Sequence, residues 1–448
     1  MRIQFILLSF LCFFGVQTIA VANPNRYIDY GGYLVEVNGQ TIASLRPDER
    51  FIPASSIKVL SALTILRTLG ENYRFTTVFY YDQNTKILSV KGSGDPFLTS
   101  EVLAQAAAQL REKGVRHVSR LVLDDSAFAL TPELPDGSEN SLQPYDAGNS
   151  ALAVNFNTVV FRKDRKGQLF QEDPNTPLLP ITRELAAGAS TGSQRINIYS
   201  GGTVAVSPAL RLTAELLISL LRQAGIEVED SARRSRVAAG SQPILTIESE
   251  QTVREMVRSF LKYSTNFVAN QLVLAAAAHR FGAPATWEKE KMLLEATAYQ
   301  QLALSPRDLQ IQEGSGLSRH THVSPQAMLV ILRAFEPWKE LLPEKFDSLV
   351  KTGTMTGVHC LIGYKETPRG LARFAILLNQ DRNTRWEVLH ALLDPPDEKP
   401  APVAKSKAIA KGKYIAKAKA TSKSGTKKKA KSKPDTKKVA AKKKKKTR

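Results

Sequence analysis

The stretch Pro53-Ala-Ser-Ser-Ile-Lys58-Val-Leu-Ser-Ala-Leu-Thr-Ile-Leu-Arg-Thr-Leu69-Gly70 decides how this chain is read. A serine sits at its start, apolar residues run almost all round, and Gly70 closes it. Helix start and stop signals in these places predict a helix of about four turns. A helix apolar on nearly every face has to lie inside a larger core. Working outward, Tyr33–Val37 and Thr41–Leu45 flank Asn38-Gly39. Asn-Gly accepts the positive φ angles of a tight turn, so this is a hairpin. Residues 251–396 return to the same style. The patterns there predict helices over Val253–Leu274, Pro325–Phe335 and Arg385–Leu393, and strands over Val350–Thr354, Gly357–Tyr364 and Ala372–Leu378.

Between these ends the character changes. Strand-like runs at Phe75–Tyr81, Ile87–Val90, Arg120–Leu123 and Ala153–Phe161 alternate with turns, and Ser100–Lys113 and Leu210–Ala224 read as helices. Pro174, Pro177 and Pro180, then Gly188, Gly192, Gly201 and Gly202, mark loops. The expectation is therefore an α/β fold. Residues 23–72 and 251–396 form one discontinuous domain with an antiparallel sheet flanked by helices, interrupted at 73–250 by one or more inserted β-rich subdomains.

The termini are of a different kind. Residues 1–22 carry Arg2, an apolar run from Ile3 to Val16 and the small-x-small stretch Ala20-Val21-Ala22, which reads as an export signal removed near Asn23. The apolar run is too short to span a bilayer comfortably, and no later segment is apolar enough, so no membrane span is expected in the mature chain. Cys12 leaves with the signal. Cys360 then stands alone among apolar neighbours and is expected to be a buried, inert thiol. The formal net charge is +20, and 397–448 hold 21 Lys and Arg against 3 Asp and Glu. The body from 23 to 396 is left close to neutral. This Lys-rich tail has too few large apolar residues to offset the entropy of ordering and is expected to be disordered. With 43% hydrophobic and 23% charged residues overall, a collagenous or wholly disordered chain is excluded.

Three short motifs carry candidate chemistry. Ser55 and Lys58 lie one helical turn apart at a helix N-terminus. A serine hydroxyl attacks well only when a base takes its proton. A lysine can be that base if burial and the positive helix end disfavour its ammonium form. Taken alone, Ser55 reads as a simple helix cap before it reads as a nucleophile. Ser264-Thr265-Asn266 lies in the 253–274 helical region and offers a hydroxyl and an amide; alone, it reads as a polar break in a helix. Lys351-Thr352-Gly353-Thr354 puts a lysine and two hydroxyls on a strand, which suits a carboxylate, and Gly353 lets a substrate backbone lie close. Alone, Lys351 reads as an exposed strand lysine. There is no Gly-x-Ser-x-Gly elbow, zinc spacing or phosphate loop, and His320 and His322 read as a loop pair. No cofactor or metal is expected.

The order Ser-x-x-Lys, Ser-x-Asn, Lys-Thr-Gly is the set found in penicillin-binding proteins and class A β-lactamases. On these residues the chain resembles the class C low-molecular-mass penicillin-binding proteins, the D-alanyl-D-alanine carboxypeptidase/endopeptidase family S13. Gly92-Ser-Gly-Asp-Pro96, Leu121–Phe128, Leu152–Asn157, Gly314-Ser-Gly-Leu-Ser-Arg319 and Val323-Ser-Pro325 are similar to segments of that family. The resemblance covers roughly 28–393. It implies a penicillin-binding/transpeptidase-like domain with inserts, an exported or periplasmic setting, peptidoglycan stem peptides as substrate and β-lactams as inhibitors. It further implies Ser55 as nucleophile, Lys58 as base, Ser264 and Asn266 as relay and substrate contacts, and Lys351, Thr352, Gly353 and Thr354 as the carboxylate site. The backbone N–H groups of Ser55 and Thr354 would form the oxyanion hole.

Three positions depart from the pattern: Glu313 where Asp is usual, Thr321 where Asn is usual, and Asn270 where an acid is usual. Two rival readings follow from the same residues. A β-lactamase-like hydrolase would share the motifs, but the long stretch between Ser55 and Ser264 exceeds what the compact class A enzymes carry. A non-catalytic scaffold would use the Lys-rich tail to hold anionic envelope polymers, yet has no need of all three motifs. Polylysine does not discriminate among polyanions, but with Tyr414 and Ile415 as its only large apolar pair the tail is a poor candidate for nucleic acid.

Overall fold

Alternation along Gly370–Leu378 sets the central layer of the molecule. The computed structural model describes residues 23–199 and 207–394. The export signal and the Lys-rich tail, and Gly201 and Gly202, lie outside the described residues. A six-stranded antiparallel sheet contains β1 (Gly31–Val37), β2 (Gln40–Leu45), β3 (Glu344–Lys345), β4 (Ser348–Met355), β5 (Val358–Thr367) and β6 (Gly370–Leu378), in the order β3-β4-β5-β6-β1-β2. In β6, Phe374, Ile376 and Leu378 face one side with Val35, Leu361, Val388 and Leu389. Ala375 and Leu377 face the other with Leu34, Cys360 and Ile362. A central strand buried on both faces reads as a near-continuous apolar run for this reason.

Six helices among the described residues cover those faces. They are α1 (Lys58–Leu69), α2 (Val253–Tyr263), α3 (Asn266–Phe281), α4 (Trp287–Glu295), α5 (Pro325–Phe335) and α6 (Arg385–Leu393). Only α6 packs on the first face. The others share one large core, in which α1 is buried from Lys58 to Leu66. A one-turn 3-10 helix, Ala54–Ile57, precedes α1, so Ser55 lies just outside the α-helix proper. Cys360 is fully buried, and burial pushes its thiol up to about 12. Among the described residues, no helix is long and apolar enough to cross a membrane.

A separate apolar cluster draws only on residues between Phe79 and Leu245. It is built from a five-stranded mixed sheet, a three-stranded sheet and the helices Ser100–Glu112, Pro180–Ala187 and Pro208–Gln223. Strands Ile87–Gly92 and Arg120–Asp124 pair in parallel, joined by helix Ser100–Glu112 in a β-α-β crossover.

Several sequence expectations change here. The run Ala153–Phe161 is a strand only from Thr158, because Asn155, Phe156 and Asn157 all take positive φ and stop the extended backbone. Gly192 opens the strand Gly192–Asn197 instead of marking a loop. The region 253–274 is two helices. Its break falls on Ser264, which adopts the left-handed conformation at φ 59° and ψ 35°. Pro180 and Gly188, read as loop marks, instead open and cap the helix Pro180–Ala187, and α4 is not expected from the sequence.

Candidate active site

Four chain segments meet at the N-terminus of α1. The left-handed φ of 47° at buried Ala54 turns the chain sharply just before Ser55. Strand β4 lies directly against this turn. A Cβ on Gly353 would come 2.2 Å from the carbonyl oxygen of Pro53 and 3.2 Å from the Ser56 nitrogen. Glycine at 353 is therefore demanded by close packing on the serine-bearing turn, a different reason from the substrate access suggested by sequence. Gly316 meets the turn from the other side, where a Cβ would come 2.2 Å from the Ala54 oxygen.

Lys58 is fully buried, and its Nζ has three partners: Ser55 Oγ at 2.9 Å, Asn266 Oδ1 at 2.7 Å and the Ser315 carbonyl at 2.5 Å. Asn266 Nδ2 donates to the Tyr145 carbonyl at 3.1 Å, which fixes Oδ1 as the atom facing the lysine. Two partners of Lys58 are thus pure acceptors, and only Ser55 carries a proton to give. An ammonium would donate to all three partners, whereas a neutral amine donates to the two fixed acceptors and turns its lone pair to the Ser55 proton. Burial brings the Lys58 pKa down to about 7, against the opposing pull of the Glu313 carboxylate.

Lys351, also buried, donates to Ser264 Oγ at 2.8 Å and to the Thr352 carbonyl at 3.1 Å. It is not the exposed strand lysine that its sequence position allowed. Burial, then the positive charges of Lys58, Lys345 and Arg385, hold its pKa well below the ordinary value. No carboxylate pairs with it among the described residues. An arriving anion would supply the missing counter-charge. Thr352 is half-buried and Thr354 exposed, so their hydroxyls are the accessible part of the motif. All eight residues picked out by sequence thus come together around the start of α1.

Other contributors were not legible. Arg385, on α6, donates to Thr354 Oγ1 at 2.8 Å and to the Gly353 carbonyl at 3.2 Å. The carbonyls of Ser315 and Tyr145 are backbone atoms, which no residue type announces. The three departures from the family pattern converge on the turn after Gln310, which pairs with His322 in a short two-stranded sheet. Glu313 accepts from the N–H groups of Ser315 and Leu317, each at 2.7 Å, and of Ser318 at 3.2 Å. Thr321 Oγ1 accepts from the Gln312 N–H at 3.2 Å, and Asn270 Oδ1 lies 3.3 Å from where a Gly314 Cβ would sit. The histidine pair sits at the end of the same turn, where Asp136 accepts from Ser318 Oγ and contacts His320 Nδ1 at 3.2 Å.

Known proteins can now be set beside this geometry. The chain is similar to the D-alanyl-D-alanine carboxypeptidase of Actinomadura sp. (strain R39), 25% identical over 408 residues, covering 76% of each chain. It is similar to the D-alanyl-D-alanine carboxypeptidase DacB of Haemophilus influenzae, 24% identical over 391 residues, covering 74% of this chain and 81% of the relative. Among solved structures it is similar to penicillin-binding protein 4 (dacB) of Haemophilus influenzae, with a TM-score of 0.70 at 20% identity, over 84% of this chain and 97% of that one. A second structure of that protein, complexed with a β-lactam, superposes with a TM-score of 0.65. With residues 30–349 matching its sequence profile, the chain belongs to the D-Ala-D-Ala carboxypeptidase 3 (S13) family.

Proposed function

We propose how this serine-type D-Ala-D-Ala carboxypeptidase uses its cleft. Ser55 Oγ attacks the carbonyl between the two terminal D-alanines of a peptidoglycan stem peptide while its proton passes to Lys58 Nζ. The tetrahedral intermediate expels D-alanine, whose amine takes a proton back through Lys58 or Ser264. Water then attacks the acyl-enzyme, gives its proton to the same base and frees Ser55. The observation that carries this reading is the set of partners on Lys58: two fixed acceptors and one hydroxyl. The N–H groups of Ser55 and Thr354 serve as the oxyanion hole, supported by the tight seat of Gly353 on the serine-bearing turn. A β-lactam acylates Ser55 in the same way and leaves slowly. Labelling with a fluorescent penicillin followed by peptide mapping tests the assignment, and a modified residue other than Ser55 refutes it.

Thr352 and Thr354 hold the substrate's terminal carboxylate, and Lys351 supplies its counter-charge. Replacing Lys351 with alanine is expected to lower kcat/KM about 10- to 100-fold on peptides with a free C-terminus, the cost of one charge-assisted contact. An amidated peptide is expected to be poor already and to lose little more. Equal losses on both would rule out the carboxylate role.

The enzyme works outside the cytoplasm, a reading supported by the signal-like residues 1–22. Its Lys-rich tail binds anionic envelope polymers and takes no part in turnover. A chain ending at Pro396 is expected to hydrolyse a small soluble peptide at the full rate. It should bind envelope fractions more weakly than the full chain, whose binding should fall steeply with added salt. Salt-independent binding, or equal binding by both chains, would remove the tether.

A further inference from the structure

Behind the cleft lies a buried carboxylate that the reaction as written does not use. Glu290, on the first turn of α4, is fully buried. Its Oε1 accepts from the Gly314 N–H at 2.8 Å. Its Oε2 is buried with no hydrogen-bond partner, and so are both amide atoms of Asn270 on α3. Glu290 Oε1 and Asn270 Oδ1 both lie within 3.3 Å of the point where a Cβ on Gly314 would sit. One residue before Gly314 comes the second buried carboxylate, Glu313, whose two oxygens accept three backbone N–H groups. One carboxyl of the pair is thus well solvated by the chain and the other is not.

We propose that Glu290 is a positioning residue that carries a proton, leaving Glu313 as the single negative charge facing Lys58, and that through Gly314 it holds the Ser315 carbonyl on the Lys58 amine. The inference rests on the reading of Lys58 as base.

Of two buried carboxyls that feel each other's charge, the one with fewer donors keeps the proton. Glu313, with three N–H donors, is the better anion. Burial and the Glu313 charge hold the Glu290 carboxyl well above the usual range. A proton on Oε2 makes that oxygen a donor, and Asn270, the other unpartnered polar group beside Gly314, carries an acceptor oxygen. The groups around the pair are accounted for by element. Asn270 of α3 is uncharged, α1 presents Ser61 and Lys58, and the turn itself presents Glu313. Lys58 feels the Glu313 charge.

The positional argument follows the chain. Glu290 holds the Gly314 N–H. The Gly314 carbonyl accepts from Ser61 Oγ on α1. The next carbonyl, that of Ser315, is the closest acceptor of Lys58 Nζ. Loosening Gly314 therefore moves one of the two acceptors that aim the lysine's lone pair at Ser55.

The test compares Glu290→Gln, Glu290→Leu and Glu313→Gln in acylation by a soluble β-lactam across pH. Glutamine reproduces a neutral carboxyl, keeping an acceptor for Gly314 and a donor for Asn270. Glu290→Gln is expected to keep acylation within about twofold of wild type, with the acid limb unmoved. Glu290→Leu, of similar bulk but without the acceptor, is expected to lose roughly tenfold or more by misplacing the carbonyl. Glu313→Gln removes the charge that favours the ammonium form, so its acid limb is expected to move to lower pH. Independently of activity, infrared spectra at neutral pH of protein with isotope-labelled glutamate are expected to show a protonated carboxyl band that Glu290→Gln abolishes. If Glu290→Gln fails to fold, loss of the band in Glu290→Leu makes the same assignment. Absence of the band, or an acid limb displaced to lower pH in Glu290→Gln, means that Glu290 is ionised and overturns the proposal. With the band present and the Glu313→Gln limb unmoved, the proton on Glu290 stands and the base assignment of Lys58 fails instead.

Discussion

Replacing Ser55 with alanine is expected to abolish labelling by penicillin and to cut turnover of D-Ala-D-Ala peptides by about 10³-fold or more. The size of the loss follows from the unit that Ser55 forms with Lys58: without the nucleophilic oxygen, a correctly placed base has nothing to activate. The fold is expected to survive. The 2.9 Å contact with Lys58 is the Ser55 side chain's role in the hydrogen-bond network, and Lys58 keeps the Asn266 and Ser315 acceptors without it. The change in stability should stay within about 1 kcal/mol, as for a small truncation that empties no core volume. Gel fluorescence after penicillin treatment, with a thermal melt on the same samples, checks both halves. A variant that labels like wild type places the nucleophile elsewhere.

The second large effect belongs to Lys58. Lys58→Arg keeps a positive charge but cannot give up a proton at any accessible pH, so acylation is expected to drop by a factor comparable to that for Ser55→Ala. In the wild type the amine must be unprotonated to accept the serine proton. With the Lys58 pKa near 7, the second-order rate of β-lactam acylation is expected to rise as pH passes through about 7 and to level off above it. The same protonation enters stability with a definite sign. Between about 7 and the ordinary lysine value near 10.4, the unfolded chain binds a proton that the folded chain does not. Stability contributed through this group therefore increases with pH across that window. An acylation profile flat from acid to alkaline pH, or a Lys58→Arg chain that acylates at the wild-type rate, would show that another group takes the proton.

Much of this site is local chemistry written in the chain. Ser55 and Lys58 meet because three residues make one helical turn, whatever the rest of the protein does. The two faces of β6 follow from the two-residue period of a strand, and so does the burial of Cys360 on one of them. The hairpin at Asn38-Gly39 and the bounds of α5 and α6 were all marked by residue type. The Ser264 break was half visible: a polar Ser-Thr-Asn run interrupts an apolar pattern, but only packing against β4 puts its hydroxyl on Lys351. The rest had to wait for tertiary structure because it depends on what lies far apart in sequence. Lys58 loses its ordinary basicity through burial by α3 and the Gly314–Ser318 turn, more than 200 residues away. Ser315 and Tyr145 act through carbonyl oxygens, which every residue has. Arg385 looks like any surface arginine on a C-terminal helix until α6 docks and brings it to Thr354. Glu290 looks like one more acid in Trp-Glu-Lys-Glu-Lys until the fold buries it and sets its Oε1 on the Gly314 N–H. Motif spacing can name the reacting atoms; desolvation, which sets their protonation, is a property of the whole fold.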